Sequence, residues 1–173
     1  MRTLVLDPAS TGLAPLLERR RRLGLDRGDE VWEGVLHVNP TGSHAHARVI
    51  QQLAELLGPP ARAAGLEPTL DFSLGVEDNH RVPDGGFHRP SAAAMWHPTA
   101  ALVLEVVSPG DESWEKLGFY AAHAVDDVLI VDPQRRSVDW LALCDGHYRT
   151  IERSRLINLG VADLIARIDW PAV

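Results

Sequence analysis

The sequence predicts a mixed α/β domain in which helices pack against a β-sheet. Two segments with helical spacing of apolar residues, 43–64 and 113–124, alternate with short apolar strand candidates. The candidate at 101–107 is apolar on both faces except for Glu105, a pattern typical of a strand buried on both sides. At 173 residues the chain has the size of one domain, so we expect a single core.

The predicted elements follow the order α-β-α-β-β-β-α-β-β-β. Residues 1–30 form a segment packed on the core, with a short helix whose apolar face is Leu13, Leu16, Leu17 and Leu23. Residues 31–173 form the main domain. Its strands are predicted at residues 30–38, 68–76, 81–88, 101–107, 127–131, 137–143 and 146–151.

Composition excludes several classes of protein. The net charge of −7 argues against a protein that coats nucleic acid through bulk electrostatics, although a locally basic groove stays compatible with it. Cys144 is the only cysteine, so no intrachain disulfide forms and a reducing compartment is favoured. We see no signal peptide and no apolar run of the roughly 20 residues that span a bilayer. These features predict a cytoplasmic protein without membrane contact.

Lysine use is the most informative feature of the composition. Of the seventeen basic residues only Lys116 is a lysine. A compact ammonium approaches a water molecule or a phosphate in a way that a planar guanidinium does not. Asp84 and Glu105 precede Lys116 along the chain, and two acids followed by a lysine indicate metal-assisted phosphodiester chemistry.

Local geometry is expected to bring these side chains together. Glu105 lies inside a buried strand, where a carboxylate needs a cation or a raised pKa. Pro83 and the glycines after Asp84 predict irregular backbone that aims Asp84 at Glu105. Mg²⁺ binds one or two carboxylates together with waters and phosphate oxygens, so Asp84 and Glu105 match its ligand count, and the Val106 carbonyl adds a third protein ligand.

Simpler interpretations remain open for the same residues. Asp84 is also suited to capping the turn that follows it. Glu105 is also able to pair with a buried arginine such as Arg48 or Arg81, and Lys116 fits an exposed helix surface.

Several segments, in this order, resemble the PD-(D/E)XK nuclease superfamily and, more narrowly, the Uma-type family of restriction-endonuclease-like proteins. The matching segments are VWEGVL (31–36), HARVIQQL (46–53), VPD (82–84), LEVVSP (104–109), KLGFY (116–120) and IVDP (130–133). The superfamily pattern places a lysine two residues after the glutamate, where this chain has Val107. The Uma-type family resembles a variant whose lysine lies on the following helix, and Lys116 fits that position.

The resemblance implies a restriction-endonuclease-like fold and a Mg²⁺- or Mn²⁺-dependent endonuclease, with DNA favoured over RNA as substrate. Asp84 and Glu105 would hold the metal, and Lys116 would orient or deprotonate the attacking water. Glu33 would position the hydration shell of the metal, and His46 would contact a phosphate or a ligand carboxylate.

Two other functions fit the same sequence. A non-catalytic binding module for nucleic acid or protein is favoured if arginines satisfy the carboxylates and the cleft is closed. A hydrolase of another, small phosphodiester is favoured if the pocket is too narrow for a duplex. A homodimer formed through an exposed face or an edge strand fits the nuclease interpretation, because two-fold pairing would give a small nuclease two strands to cut.

Overall fold

The computed structural model describes residues 3–6, 12–39, 42–92, 94–110 and 112–172. Its helices are α1 (Ala14–Arg22), α2 (His44–Ala63), α3 (Leu117–Ala122) and α4 (Val161–Arg167). In the described part of the chain, none of the helices combines the length and apolar character needed to cross a membrane.

The strands form two six-stranded sheets, here called sheet A and sheet B. Sheet A has the order β1-β3-β2-β6-β5-β8, and sheet B has the order β12-β11-β10-β9-β7-β4. The strands are β1 (Leu4–Leu6), β2 (Glu30–Trp32), β3 (Val35–Val38), β4 (Glu67–Thr69), β5 (Ser73–Val76), β6 (Asn79–Arg81), β7 (Gly85–His88), β8 (Trp96–His97), β9 (Leu102–Val106), β10 (Asp127–Asp132), β11 (Ser137–Cys144) and β12 (His147–Thr150). Because β9 pairs in parallel with β10 and antiparallel with β7, sheet B is mixed, and the predicted α/β class is confirmed.

The division into two sheets differs from the single predicted sheet. The strand predicted at residues 81–88 is split into β6 of sheet A and β7 of sheet B, with Pro83 and Asp84 between them. Proline lacks the amide N–H that a continuous strand would donate to its neighbour. The strand predicted at residues 68–76 is split in the same way into β4 and β5. Consecutive strands of the described residues change sheet five times, and the passage from β6 to β7 ends at Asp84.

Side-chain alternation in β9 divides the core into two layers. Leu102, Leu104 and Val106 belong to a cluster shared with α2 and α4, whereas Val103 belongs to a cluster shared with α3 and β5. Successive side chains of a strand point to opposite faces, so Glu105 shares the face of Val103. That face places the carboxylate between sheet B and α3.

Helix α1 is present, as the spacing of its leucines predicts, but none of its residues is fully buried. Leu16 is 48% exposed. The helix is joined to the following loop by an ion pair of 2.8 Å between Arg20 Nη2 and Asp29 Oδ1. The boundary between an N-terminal segment of residues 1–30 and a domain of residues 31–173 stays a prediction.

Candidate active site

Glu105 is the buried acid at the centre of the site. It lies in the middle of sheet B and is 3% exposed. Lys116 Nζ lies 3.1 Å from its Oε1 and 3.2 Å from its Oε2, and the Tyr120 hydroxyl donates a hydrogen bond to Oε1. Lys116 is the N-cap residue of α3, so the short connection after β9 brings the ammonium back to the strand. Lys116 is buried, and the surface-lysine interpretation is wrong.

A second acid, Glu30, flanks the same lysine. Its Oε1 lies 2.9 Å from Lys116 Nζ and accepts the Val82 amide N–H over 2.9 Å. Its Oε2 accepts the indole N–H of Trp32 over 2.7 Å. Glu30 is 1% exposed, and these contacts give each of its oxygens a partner within the protein.

Glu33, predicted to lie in the middle of a strand beside the metal, is found elsewhere. It lies in the turn after β2, has a positive φ of 52°, and has an exposed side chain. Glu30 occupies the position beside Lys116 and Glu105 that was predicted for Glu33. The sequence contains a signal for Glu30. In a strand that begins at Glu30, side chains alternate between the two faces, so Glu30 and Trp32 share one face and Val31 lies on the other.

Asp84 connects three parts of the structure where the chain enters β7. Its Oδ2 accepts the Val106 amide N–H over 2.8 Å, and its Oδ1 lies 3.0 Å from His46 Nε2 near the start of α2. His46 Nδ1 lies 3.1 Å from Ser108 Oγ in the loop after β9. Asp84 thus binds the residue next to Glu105. The contact that joins Val106 to the site is its amide N–H, and the ligand role of its carbonyl stays a prediction.

The two arginines considered as partners of Glu105 lie in other contacts, so that alternative is wrong. Arg48 Nη2 pairs with Asp169 Oδ2 at 2.7 Å on the surface. The Arg81 guanidinium lies between the rings of Trp32 and Phe119, 4.2 Å and 4.1 Å from their centroids. Arg81 therefore supports the ring that holds Glu30, through cation–π contacts on the Trp32 face.

Burial and charge dominate the electrostatics of the site. Burial raises the pKa of Glu105, and Asp84 and Glu30 raise it further, against the opposing effect of Lys116. Burial alone would lower the pKa of Lys116, but Glu105 and Glu30 outweigh burial and raise it above its ordinary value. Three carboxylates share one ammonium, which leaves an excess of two negative charges if all three are ionised.

The donor set fits a hard divalent cation. Among the described residues, no three histidine, cysteine or acidic side chains form a ready metal-binding group. Mg²⁺ does not require one, since it commonly keeps several waters and binds one or two carboxylates. Asp84 and Glu105 supply oxygen ligands of that type, and the excess negative charge favours a cation beside them.

The cluster opens into a cleft of about 450 Å³. Arg27, His46, Asp84, Glu105 and Lys116 all line it. Because Asp84 and Glu105 line the cleft, an external ligand is able to reach them. Acids in an ion-pair network enclosed in the core would not be accessible in this way.

The comparisons with known proteins identify the fold and the family of the chain. The chain is similar in fold to a protein from Anabaena variabilis described as a putative nuclease belonging to DUF820, with a TM-score of 0.67 and 13% sequence identity over 80% of this chain and 89% of that one. No curated protein matches the sequence. A family model named Uma2 and described as "Putative restriction endonuclease" matches residues 26–165, which contain the whole cluster. The chain therefore belongs to the Uma2 family, and the resemblance found in the sequence is confirmed.

Proposed function

We propose that the protein is a Mg²⁺- or Mn²⁺-dependent endonuclease that hydrolyses phosphodiester bonds, with DNA as its substrate in preference to RNA. The observation that carries the proposal is the position of Lys116 between Glu30 and Glu105, beside Asp84 and at the wall of an open cleft. Family membership supports the same class of reaction.

Asp84 and Glu105, with the Val106 carbonyl, would hold the metal. When bound, the metal would supply Lewis acidity and would lower the pKa of a coordinated water. The Val106 amide and His46 orient the Asp84 carboxylate from two directions. Fixed orientation of a ligating carboxylate strengthens metal binding, because little rearrangement is then needed.

Lys116 is suited to orienting the attacking water and to stabilising negative charge on the phosphate. Its ammonium points at three carboxylate oxygens, two of Glu105 and one of Glu30. An ammonium has three protons and no acceptor, so this geometry favours the charged form, in agreement with the raised pKa of Lys116. The arrangement therefore favours electrostatic stabilisation over proton abstraction by the lysine.

One observation favours a second function, a non-catalytic binding module. Both oxygens of Glu105 already contact Lys116, which leaves the carboxylate satisfied within the protein. A nuclease would have to loosen that contact, or use the remaining lone pairs of the carboxylate, when the metal binds. Among the described residues Glu105 has no arginine partner, and this feature and the open cleft favour the nuclease.

The test is titration calorimetry with Mg²⁺ and Mn²⁺, combined with cleavage of supercoiled plasmid in the same buffers. Wild type should bind metal and cleave, and Asp84→Asn should lose both. Asp78→Asn, which changes an exposed acid in the turn between β5 and β6, is the matched control and should behave as wild type. A wild-type protein that binds nucleic acid but neither binds metal nor cleaves would replace the nuclease by the binding module.

A further inference from the structure

Arg27 lines the same cleft as Asp84, Glu105 and Lys116, in the loop before β2. We propose that Arg27 binds the substrate phosphate next to the scissile one. This inference rests on the proposed function and assigns a further substrate-binding residue to that same site.

The charges of the cleft support this role for Arg27. The acids that line the cleft outnumber its two permanent cations; they are Glu30, Asp71, Asp84, Glu105 and Glu112. Lys116 is already paired with Glu30 and Glu105. Among the residues that the structure describes, the Arg27 side chain has no ion-pair or hydrogen-bond partner, and it is exposed. Of these two cations, Arg27 is therefore the one that is available to pair with a phosphate of a polyanion in the cleft.

The loop that carries Arg27 is held in place on both sides. Arg20 Nη2 donates to the Leu25 carbonyl over 2.6 Å, and the Asp29 amide donates to the Asp26 carbonyl over 3.0 Å. Asn39 Nδ2 donates to the Gly28 carbonyl over 3.0 Å. Because this backbone is already ordered, binding through Arg27 costs only the ordering of its own side chain.

The chemistry of the side chain indicates phosphate as its ligand. A guanidinium presents several N–H donors in a planar fork that matches two phosphate oxygens. Lys116 lies beside Asp84 and Glu105, the proposed metal ligands, and these three residues would act on the scissile phosphate. Arg27 belongs to a different element of the cleft wall, and a neighbouring phosphate is the group that a nucleic acid offers there and a simple diester lacks.

The experiment measures binding of a fluorescently labelled DNA duplex by anisotropy, as a function of NaCl concentration and with Ca²⁺ in place of Mg²⁺. Wild type is compared with Arg27→Ala, Arg27→Lys and the control Arg22→Ala, which removes an exposed arginine of α1 that does not line the cleft. Arg27→Ala should weaken binding about tenfold, the effect of one hydrogen-bonded charge. It should also reduce the slope of log K against log[NaCl] by about 1.

The other variants separate charge from shape. Arg27→Lys should restore the salt slope but only part of the affinity, since it keeps the charge and loses the fork. Arg22→Ala should bind within about twofold of wild type. In cleavage assays with Mg²⁺, Arg27→Ala should lose more activity on DNA than on bis(p-nitrophenyl) phosphate, which has no neighbouring phosphate.

Three outcomes would overturn the inference. If Arg27→Ala and Arg22→Ala change the affinity and slope equally, Arg27 has no special role, although plasmid cleavage by wild type would leave the nuclease proposal intact. Equal losses on DNA and on the small diester would place Arg27 at the scissile phosphate instead. A wild-type protein that neither binds nor cleaves DNA would overturn both proposals together.

Discussion

Trp32 donates its indole N–H to Glu30 Oε2 over 2.7 Å, and the other oxygen of that carboxylate contacts Lys116 at 2.9 Å. The ring is held from both faces, by Arg81 at 4.2 Å and by His37 at a centroid distance of 4.3 Å. An aromatic stack at the edge of the site thus fixes the orientation of one of its acids.

Replacing Trp32 by phenylalanine tests this relationship. Phenylalanine keeps an aromatic face but removes the N–H, so Glu30 loses one of its partners. We expect a loss of about 1 kcal/mol in the free energy of unfolding and a loss of roughly tenfold to a hundredfold in plasmid cleavage, because Lys116 is less well positioned. Urea unfolding and cleavage rates measure the two effects. Trp114→Phe, at a tryptophan that is 46% exposed, is the control, and equal effects of the two variants would refute the role of the indole.

Removing the ammonium of Lys116 should destabilise the fold. Lys116→Met leaves Glu30 and Glu105 buried without their cation, and breaking a buried pair in this way costs about 3–5 kcal/mol. Arg135→Met, at a side chain that is 82% exposed, should change the free energy of unfolding by less than about 1 kcal/mol. Urea denaturation of both variants at neutral pH checks the difference. A Lys116→Met protein as stable as wild type would show that the two acids do not depend on the lysine.

The same change should strengthen metal binding. Lys116 and a divalent cation compete for the Glu105 oxygens, so Lys116→Met should bind Mg²⁺ several-fold more tightly than wild type while losing cleavage. Calorimetry at a temperature where circular dichroism shows the variant to be folded gives the affinity. Weaker binding in the variant would mean that Lys116 helps to build the metal site and does not compete with the metal.

His88 should make the fold sensitive to acid. Burial and, to a smaller extent, the neighbouring His97 together lower its pKa to about 4. The ring packs against Phe72 at 4.5 Å and His97 at 4.4 Å. The unfolded chain takes up the proton near the ordinary pKa of 6.5, whereas the folded chain does so only near 4. Proton uptake by the unfolded state therefore lowers stability as the pH falls from about 6.5 to 4.

We expect His88 to contribute on the order of 1–3 kcal/mol to that acid loss. His88→Leu should remove the His88 contribution to the acid loss. The free energy of unfolding of the variant should therefore decrease less than that of wild type as the pH falls. Thermal melts between neutral and acid pH measure it. His147→Leu, at an exposed histidine of β12, is the control. A pH-independent difference for His88→Leu would contradict the lowered pKa.

Much of the site is predictable from the sequence because it depends on local rules. Glu105 is the one charged residue in an apolar strand, and a short connection returns the chain to that strand at Lys116. These features predict that Glu105, Lys116 and Asp84 lie together, as the structure shows.

What the sequence did not reveal depends on where strands begin and on long-range pairing. The apolar pattern of residues 30–38 fits one continuous strand, but the chain turns at Glu33, so Glu30 and not Glu33 lies beside Lys116. Pro83 indicates a break in a strand, but no local sequence feature indicates that the residues before and after it belong to different sheets. The stacking of Arg81 between Trp32 and Phe119 likewise joins residues far apart in the chain.

The passage of the chain between the two sheets at Asp84 has a consequence for the timing of activity. Glu30 comes from sheet A, Glu105 comes from sheet B, and Lys116 starts the helix that follows. A chain emerging from the ribosome has no complete site until residue 116 has been made and both sheets have formed. Local opening of either sheet takes the site apart in the same way, so the proposed nuclease activity belongs to the fully folded protein and not to its partly folded forms.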